Sequence, residues 1–426
     1  MGDVRVDVGA FDAEVQRNRT FGAAIVDDPY PTLHRLRQAC PVHPGAIEEQ
    51  FPGMEGLRPM MPSGVPTFAT YDYEAALDVL RRSDDFASAP FYAGLSDSIG
   101  QSVIGMDEPA HRRMRSLVQP AFARREMERW GRRIIEPIVD EHLDPIAPLG
   151  RAELSEDVGA KIPVHTIAAA IGLPVADREQ FFEWAVMMTL ATASPQERSA
   201  ASDALGAYVA PLIAERRKCP SDDLLSTLVQ ATVPADIGEG VDMRPLSDDE
   251  INTFVRIFVI AGAGTTFRAY GGLMYQLLTD RRQFDEVSAD RSLIPRAITE
   301  ALRIEQPLAF IGRVAARPCP LGDRQIAEGS LIPVSVSAAN HDPLRFPDPE
   351  RFVIHREKSE RNVAFGYGIH RCVGAHLAEA ELTIMLDRTL DRLPELRLDP
   401  QATNVNMTGV GMRMVTRLPV VFRPTP

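Results

Sequence analysis

The stretch Phe365-Gly-Tyr-Gly-Ile-His-Arg-Cys-Val-Gly374 decides the fold of this chain. A cysteine, Cys372, closes a glycine-rich loop that begins with an aromatic residue, and a helical pattern follows at once. Because Gly366, Gly368 and Gly374 carry no side chain, the backbone of this loop can approach a planar ligand closely. The loop therefore predicts a site at which a flat molecule meets a sulfur atom.

A cysteine that precedes a helix is favoured as a thiolate by free backbone amides and by the positive end of the helix dipole. Such a thiolate is the axial iron ligand of haem-thiolate oxygenases, in which it donates electron density and favours cleavage of the O–O bond. The alternative is an inert buried thiol, the commoner state of a free cysteine. The glycines, Phe365 and His370 favour the first interpretation, with Cys372 as the iron ligand.

The pattern Phe-x-x-Gly-x-x-x-Cys-x-Gly resembles the haem-binding loop of the cytochromes P-450, and it is complete here. The resemblance implies a mainly α fold with small β-sheets, with haem b between a long buried distal helix and this proximal loop. It implies an oxidoreductase, a monooxygenase that inserts one oxygen atom of O2 into a small hydrophobic substrate by hydroxylation, epoxidation or O-dealkylation. Phe365, Gly366, His370 and Gly374 would contact the haem.

The family resemblance also implies partners. Electrons would come from NAD(P)H through a ferredoxin reductase and a ferredoxin. Four arginines near the predicted thiolate side, Arg112, Arg113, Arg115 and Arg371, could form a basic patch for an acidic donor. The alternative is an ordinary solvated face.

A second motif is Glu300-Ala-Leu-Arg303. Residues three apart share a helix face, so these two side chains can pair, and most such pairs are only solvated surface contacts. The stretch from Phe346 to Phe352 is rich in proline and carries Arg351. In the family a Glu-x-x-Arg helix holds such an arginine and locks the cysteine loop, so Glu300, Arg303 and Arg351 are expected to be structural.

A third motif, Ala261-Gly-Ala-Gly-Thr-Thr266, interrupts an apolar run between residues 247 and 279. Ser247 with Glu250 predicts a capping box at its start, and a helix of this length would be roughly 50 Å long. Thr265 can bond its hydroxyl to the carbonyl of Ala261 and open the helix locally. Close packing of another helix against the small residues is the alternative.

This segment resembles the distal helix of the family, which lies over the haem iron. By position, Ala261 and Gly262 would contact the haem, while Gly264, Thr265 and Thr266 occupy the catalytic positions. One residue departs from the pattern, because the family usually carries Asp or Glu where this chain has Gly264.

Four further side chains match family contacts to the haem propionates. These are His111, Arg115, Arg313 and His370. A buried dianion needs charge-assisted partners of this kind, so their order along the chain supports the resemblance.

Composition bounds the remaining possibilities. The chain has 426 residues, 45% hydrophobic and 25% charged, enough for a large core. A net charge of -13 argues against binding of nucleic acid or anionic membranes. The cysteines are too scattered for a metal cluster or a disulfide framework, and the N-terminus lacks a signal-like apolar region, so a cytoplasmic protein without a membrane anchor is expected.

We predict an N-terminal arm over residues 1–27, one haem domain over 28–426, and a loop or arm over 51–64.

Periodicity and turn residues predict the secondary structure. Helices are expected at 72–83, 109–121, 124–147, 156–171, 177–192, 196–217, 221–231, 247–279, 293–304 and 374–391, and strands at 65–70, 312–318, 324–336 and 406–422. By analogy with the family, the substrate would be faced by Phe91 and Tyr92, Met187 to Leu190, Val259 to Gly262, Leu308 to Ile311, and Val410 to Met412.

Two other classes of function remain open on the sequence. A non-catalytic haem sensor or carrier could use the same thiolate loop without needing Thr265. A haem-thiolate enzyme without a redox partner, such as a peroxygenase, a nitric-oxide reductase or an isomerase, is compatible with the glycine at 264.

Overall fold

The computed structural model describes residues 26, 28–51, 64–189, 193–234, 243–415 and 417–426. The fold is mainly helical, as the sequence predicts. The α-helices are α1 (Tyr30–Ala39), α2 (Tyr73–Arg81), α3 (Ala93–Ile99), α4 (Ala110–Val118), α5 (Arg124–Trp130), α6 (Glu136–Leu143), α7 (Lys161–Ile171), α8 (Arg178–Thr189), α9 (Pro195–Lys218), α10 (Leu224–Gln230), α11 (Asp248–Thr279), α12 (Arg281–Ala289), α13 (Ile294–Ile304), α14 (Val336–Asn340) and α15 (Ala375–Arg392).

The strands are short and form small sheets. They are β1 (Val42–Pro44), β2 (Phe68–Thr70), β3 (Phe86–Ala87), β4 (Arg151–Glu153), β5 (Thr232–Pro234), β6 (Met243–Pro245), β7 (Phe310–Ala315), β8 (Cys319–Leu321), β9 (Arg324–Ile326), β10 (Leu331–Ser335), β11 (Arg397–Leu398), β12 (Met407–Thr408), β13 (Met414–Val415) and β14 (Pro419–Val421). The largest sheet has the order β1-β2-β10-β7-β3, and β10 pairs with β7 antiparallel.

Helix α11 runs through the main core. The Ser247 hydroxyl accepts from the amide of Glu250 and the Glu250 carboxylate accepts from the amide of Ser247, which is the predicted capping box. Its side chains are buried on nearly every face, and it packs against α7, α9, α13 and α15. In the described part of the chain, no helix combines the length and the apolar character needed to cross a membrane.

The predicted helices of the core are confirmed, with differences at their ends. Two of them contain π-helical turns, at Gly131–Ile135 between α5 and α6 and at Ser155–Ala160 before α7. Helices α1, α3, α12 and α14 were not predicted, and each is short. The predicted helix 177–192 is described only to Thr189, since residues 190–192 lie outside the described residues.

The single strand predicted at 324–336 is wrong. The chain turns between β9 and β10 at Gly329, which has a φ of +79°. After β10 the Ser335 hydroxyl caps the short helix α14 by accepting from the amide of Ala338 at 3.1 Å. Residues 1–25, 27 and 52–63, which hold most of the predicted arm and loop, lie outside the described residues.

Candidate active site

The loop before α15 is folded around the cysteine. The amide of Cys372 donates to the carbonyl oxygen of Phe365 at 2.8 Å, and the amide of Arg371 donates to that of Gly368 at 3.1 Å. Gly368 has a φ of +72°, and a Cβ there would lie 2.2 Å from the carbonyl oxygen of Leu80. Only glycine fits at that position, because any side chain would collide with the last turn of α2.

Protein atoms surround the thiol of Cys372 on most sides, although the residue remains accessible. Burial raises the pKa of this thiol, while the amide of Gly374 and the charges of Arg371 and Arg115 act in the opposite direction. That Cys372 is held as a thiolate stays a prediction. A bound metal cation would deprotonate the sulfur by direct coordination.

The four predicted propionate contacts come together. The rings of His111 and His370 lie 4.1 Å apart between centroids. Burial and, to a smaller extent, the charges of His111, Arg313 and Arg115 together lower the pKa of His370 to about 3. These four side chains thus form one cluster, although they come from α4, β7 and the cysteine loop.

Arg313 is almost completely buried on β7, and burial lowers its pKa. The structure adds Tyr92 to this group, because the Tyr92 hydroxyl and Arg313 interact by a hydrogen bond. Sequence reasoning placed Tyr92 among the substrate-facing residues and gave no signal for this contact. The adjacent ring of Phe91 covers Gly312, where an added Cβ would lie 2.0 Å from the ring.

The middle of α11 has one accessible face although the helix crosses the core. Ala261 is exposed, and Gly264 and Thr265 are half-buried. The Thr265 hydroxyl donates to the carbonyl oxygen of Ala261 at 2.7 Å, as the sequence predicts. Gly262 lies on another face, where a Cβ would meet Ile167 of α7 at 3.1 Å, so its small size serves helix packing.

The Glu-x-x-Arg pair is buried and bidentate. Arg303 donates through Nε and Nη2 to the two carboxylate oxygens of Glu300, each at 2.9 Å, and both side chains are 0% exposed. Arg303 Nη1 also donates to the carbonyl oxygens of Asn340 and Pro349. These bonds fix the proline-rich segment against α13.

The expected role of Arg351 is wrong. Its side chain is exposed, and only its carbonyl oxygen takes part, accepting from Arg303 at 3.2 Å. The second arginine on the carboxylate of Glu300 is Arg356, whose Nε donates at 2.7 Å. Sequence spacing could not identify Arg356, because the segment turns back on itself at Asp348, where φ is +48°.

The residues expected to face a substrate divide into two sets. Met412 is 44% exposed and pairs with Leu308 in an isolated β-bridge, so these two lie side by side just before β7. Val259 and Val410 are instead buried in hydrophobic clusters of the core. Leu190 lies outside the described residues.

The residues present fit a haem. The buried Nε2 of His370 has no hydrogen-bond partner among the described residues, and three further donors surround it. A dianion such as a pair of propionates would satisfy these donors. The sulfur of Cys372 lies close to this cluster, since its charge acts on Arg115.

The chain is similar to known proteins in sequence and in fold. The sequence profile of the family "Cytochrome P450", here written P-450, matches residues 178–417. The chain is 36% identical over 336 residues to cytochrome P-450 107B1 of Saccharopolyspora erythraea, covering 78% of this chain and 80% of that protein. It is 32% identical over 386 residues to the monooxygenase PikC of Streptomyces venezuelae, covering 89% and 87%. The crystal structure of CYP109E1 from Bacillus megaterium with corticosterone superposes with a TM-score of 0.80 at 28% identity, covering 93% and 98%.

Proposed function

The chain belongs to the cytochrome P-450 family of haem-thiolate monooxygenases, and we propose that Cys372 is its iron ligand and that its substrate is a small hydrophobic molecule. One observation carries the assignment of the ligand. Four donors from separate parts of the chain, His111, Arg115, Arg313 and His370, assemble beside the loop that presents this thiol. A sensor without enzymatic activity is disfavoured, since the relatives are monooxygenases.

The haem, when bound, supplies the activation of O2. Cys372 would hold the iron, and the four donors would bind the propionates and orient the ring plane. The Glu300–Arg303–Arg356 cluster keeps the neighbouring segment in place through fixed carbonyl contacts. Each of these residues positions the haem or the chain segment beside it.

The accessible face of α11 would form the opposite wall. Ala261 presents only a methyl group there, which leaves room for a small ligand. The Thr265 hydroxyl donates to the Ala261 carbonyl, so its oxygen can accept a hydrogen bond from a water molecule. The second proton of that water can then point toward this space. Gly264 has no proton to give, so the proton must come from water or from another group.

The ligand assignment is tested by the spectrum of the reduced carbon-monoxide complex. We expect the red-shifted band of thiolate-ligated haem in the wild type and its loss in Cys372→His. Cys219→Ser removes an exposed thiol elsewhere and should leave the band unchanged. If Cys372→His kept the band, another residue would be the ligand.

The proposal of a hydrophobic substrate is supported by apolar side chains beside β7, the strand that carries Arg313. Leu308 and Met412 pair just before this strand, and the ring of Phe91 covers Gly312 within it. Burial of apolar surface is the main driving force for binding of such ligands. The similar CYP109E1 was crystallised with corticosterone, which makes a steroid a reasonable first probe. Titration of the ferric protein with corticosterone should shift the haem spectrum, and Met412→Asp should weaken the response. A panel of hydrophobic compounds without any shift would contradict the proposal.

We propose an acidic ferredoxin as the electron donor. Arg112 and Arg124 are 77% and 71% exposed on the side of the molecule that carries the cysteine loop, and Arg371 is exposed next to Cys372. Attraction between such arginines and an acidic protein weakens as salt is added. Reduction by a ferredoxin should therefore slow with ionic strength, and Arg112→Glu should slow it at low salt. Arg397→Glu, on the distant β11, is the control.

Use of peroxide in place of a redox partner is a second candidate. Gly264 favours it, since peroxide brings its own protons and electrons. Turnover with hydrogen peroxide alone, as fast as with a ferredoxin and its reductase, would support this alternative.

A further inference from the structure

A buried ion pair holds the hairpin of β12 and β13. Arg413 is 2% exposed and donates from Nε to Glu305 Oε2 at 2.8 Å, and Glu305 is itself buried. Arg413 Nη1 donates to the carbonyl oxygen of Gly409 at 3.0 Å, and the Arg413 amide donates to that of Pro307 at 3.3 Å. This one arginine therefore closes the turn between the two strands and joins it to the segment between α13 and β7.

Two further helices hold the ion pair. Gln276 of α11 donates from Nε2 to Glu305 Oε1 at 3.2 Å, so both oxygens of this carboxylate accept a hydrogen bond. The guanidinium carbon of Arg413 lies 5.3 Å from the ring centroid of Tyr30 on α1, a contact in which the ring attracts the cation. The Tyr30 hydroxyl in turn donates to the carbonyl oxygen of Ile304 at 2.7 Å. The positions of Glu305 and Arg413 are thus fixed by α1, α11 and α13 together.

The turn that this pair holds is tight. Gly409 has a φ of +103°, and a Cβ there would lie 2.2 Å from the carbonyl oxygen of Met412, so only glycine fits. The amide of Ala309 donates to the carbonyl oxygen of Gly411 at 2.9 Å, beside the β-bridge between Leu308 and Met412. The exposed side chain of Met412 is therefore presented at one defined place, next to Leu308.

The hairpin packs against α11 beyond the accessible face of that helix. A Cβ on Gly271 would lie 2.9 Å from the side chain of Val415, and one on Gly272 would lie 3.1 Å from that of Glu305. Gly272 follows Thr265 by about two helix turns, so both residues lie on the same side of α11. The ion pair therefore lies along the side of the helix on which the proposed substrate space opens.

A buried ion pair contributes little net stability, because the loss of hydration opposes the attraction between the charges. It does fix geometry, since the bonds between a guanidinium and a carboxylate are directional. We infer that Glu305 and Arg413 are positioning residues that determine which hydrophobic ligands fit, because they fix the place of Met412 and Leu308. This inference rests on the proposed function. Both residues act through the turn and not on the reacting atoms.

Two ligands that bind haem iron through a nitrogen atom test the inference in the ferric holoprotein. Imidazole is small, whereas 1-dodecylimidazole adds an apolar chain that extends away from the iron. In Arg413→Lys the charge remains, but an ammonium group cannot reproduce the fork that reaches Glu305 and Gly409. The spectral dissociation constant of 1-dodecylimidazole should therefore rise by about tenfold, the effect of one ordinary lost contact, and that of imidazole by less than about twofold.

Arg216→Lys is the matched control. Arg216 also donates from Nε to a carboxylate, that of Asp223 at 2.7 Å, and from Nη2 to a carbonyl oxygen, that of Gly172 at 3.4 Å. It lies near the C-terminal end of α9, so this variant should keep the wild-type ratio of the two dissociation constants. A purely stabilising role of Arg413 would lower the urea midpoint in both lysine variants and leave the ratio unchanged in both.

The outcomes separate the inference from the proposed function. If imidazole gave no spectral shift in the wild type, the proposed function would fail and the inference with it. If imidazole bound normally and the ratio in Arg413→Lys equalled that of the wild type, only the inference would be overturned. Should Arg413→Lys not hold haem, Tyr30→Leu removes the ring beside the guanidinium and should shift the ratio in the same direction, whereas Tyr30→Phe keeps the ring and should not. Equal ratios in these two variants would overturn the inference as well.

Discussion

Arg268 folds back along α11, and its Nη1 donates a hydrogen bond of 2.8 Å to the carbonyl oxygen of Gly264. A Cβ built on Gly264 would lie 2.8 Å from that same nitrogen. The guanidinium therefore occupies the room that an acidic side chain would need at this position. The backbone of Gly264 is helical and has no positive φ, so the backbone conformation does not require glycine there.

Replacement of Gly264 by aspartate should improve coupling, which is the fraction of electron pairs that yield product instead of hydrogen peroxide. The guanidinium is the far end of a flexible side chain and can move, and an acid four residues before Arg268 on a helix can pair with it. We expect Gly264→Asp to lower the hydrogen peroxide released per electron pair severalfold. Gly264→Ala adds the Cβ without the acid, and an equal improvement in that variant would show that the carboxylate is not responsible.

Loss of the Thr265 hydroxyl should have the opposite effect. Thr265→Ala removes the group that bonds the Ala261 carbonyl and can orient water, so peroxide release should rise by about 10-fold or more. Thr265→Ser keeps the hydroxyl and should retain most of the coupling. Tight coupling in Thr265→Ala would mean that protons reach the site by a route independent of this residue.

Removal of one partner from the Glu300 cluster should destabilise the protein strongly. Glu300→Ala would strand two buried guanidinium groups, at a cost of about 3–5 kcal/mol. Arg356→Ala should lower haem content and the free energy of unfolding in urea. The side chain of Arg351 is exposed, so Arg351→Ala should leave haem content unchanged and should change the free energy of unfolding by less than about 0.5 kcal/mol. Equal losses in the two arginine variants would contradict the assignment of Arg356.

Acidification should lower the free energy of unfolding, because His165 is protonated more easily in the unfolded chain than in the folded protein. Burial lowers the pKa of this histidine from 6.5 to about 3, aided by the charges of His142, Arg178 and Lys161. Between these two values the unfolded chain binds a proton that the folded protein does not, so the free energy of unfolding decreases as the pH drops. His165→Gln should flatten this dependence in urea titrations over that range. His43→Gln, on the short strand β1, should leave it steep.

The local sequence was sufficient to predict the long helices. Helix α11 follows from its capping box and its apolar run, and the bond from Thr265 to Ala261 follows from their spacing of four residues. The short helices α1 and α14 could not be predicted, because their stability comes from packing. The Tyr30 hydroxyl of α1, for example, donates to the carbonyl oxygen of Ile304, which is distant in sequence.

Site residues divide in the same way. The motifs identified Cys372, Glu300 and Arg303 because each belongs to a short pattern whose spacing is fixed by one loop or one helix turn. Arg356 and Tyr92 have no such pattern, and only the path of the chain brings them to their partners. The resemblance to a family supplied the order of His111, Arg313 and His370 but not their mutual contact.

The sequence by itself determined which residues could do chemistry here, since residue type and helical spacing are local properties. It could not determine their ionisation, because the pKa of a group depends on the solvent and charges that the fold removes or places around it. Tertiary structure decided that burial raises the pKa of the Cys372 thiol and that of the Glu381 carboxyl group. It also decided that Arg268 takes the room beside Gly264, a contact that requires the helix to be formed.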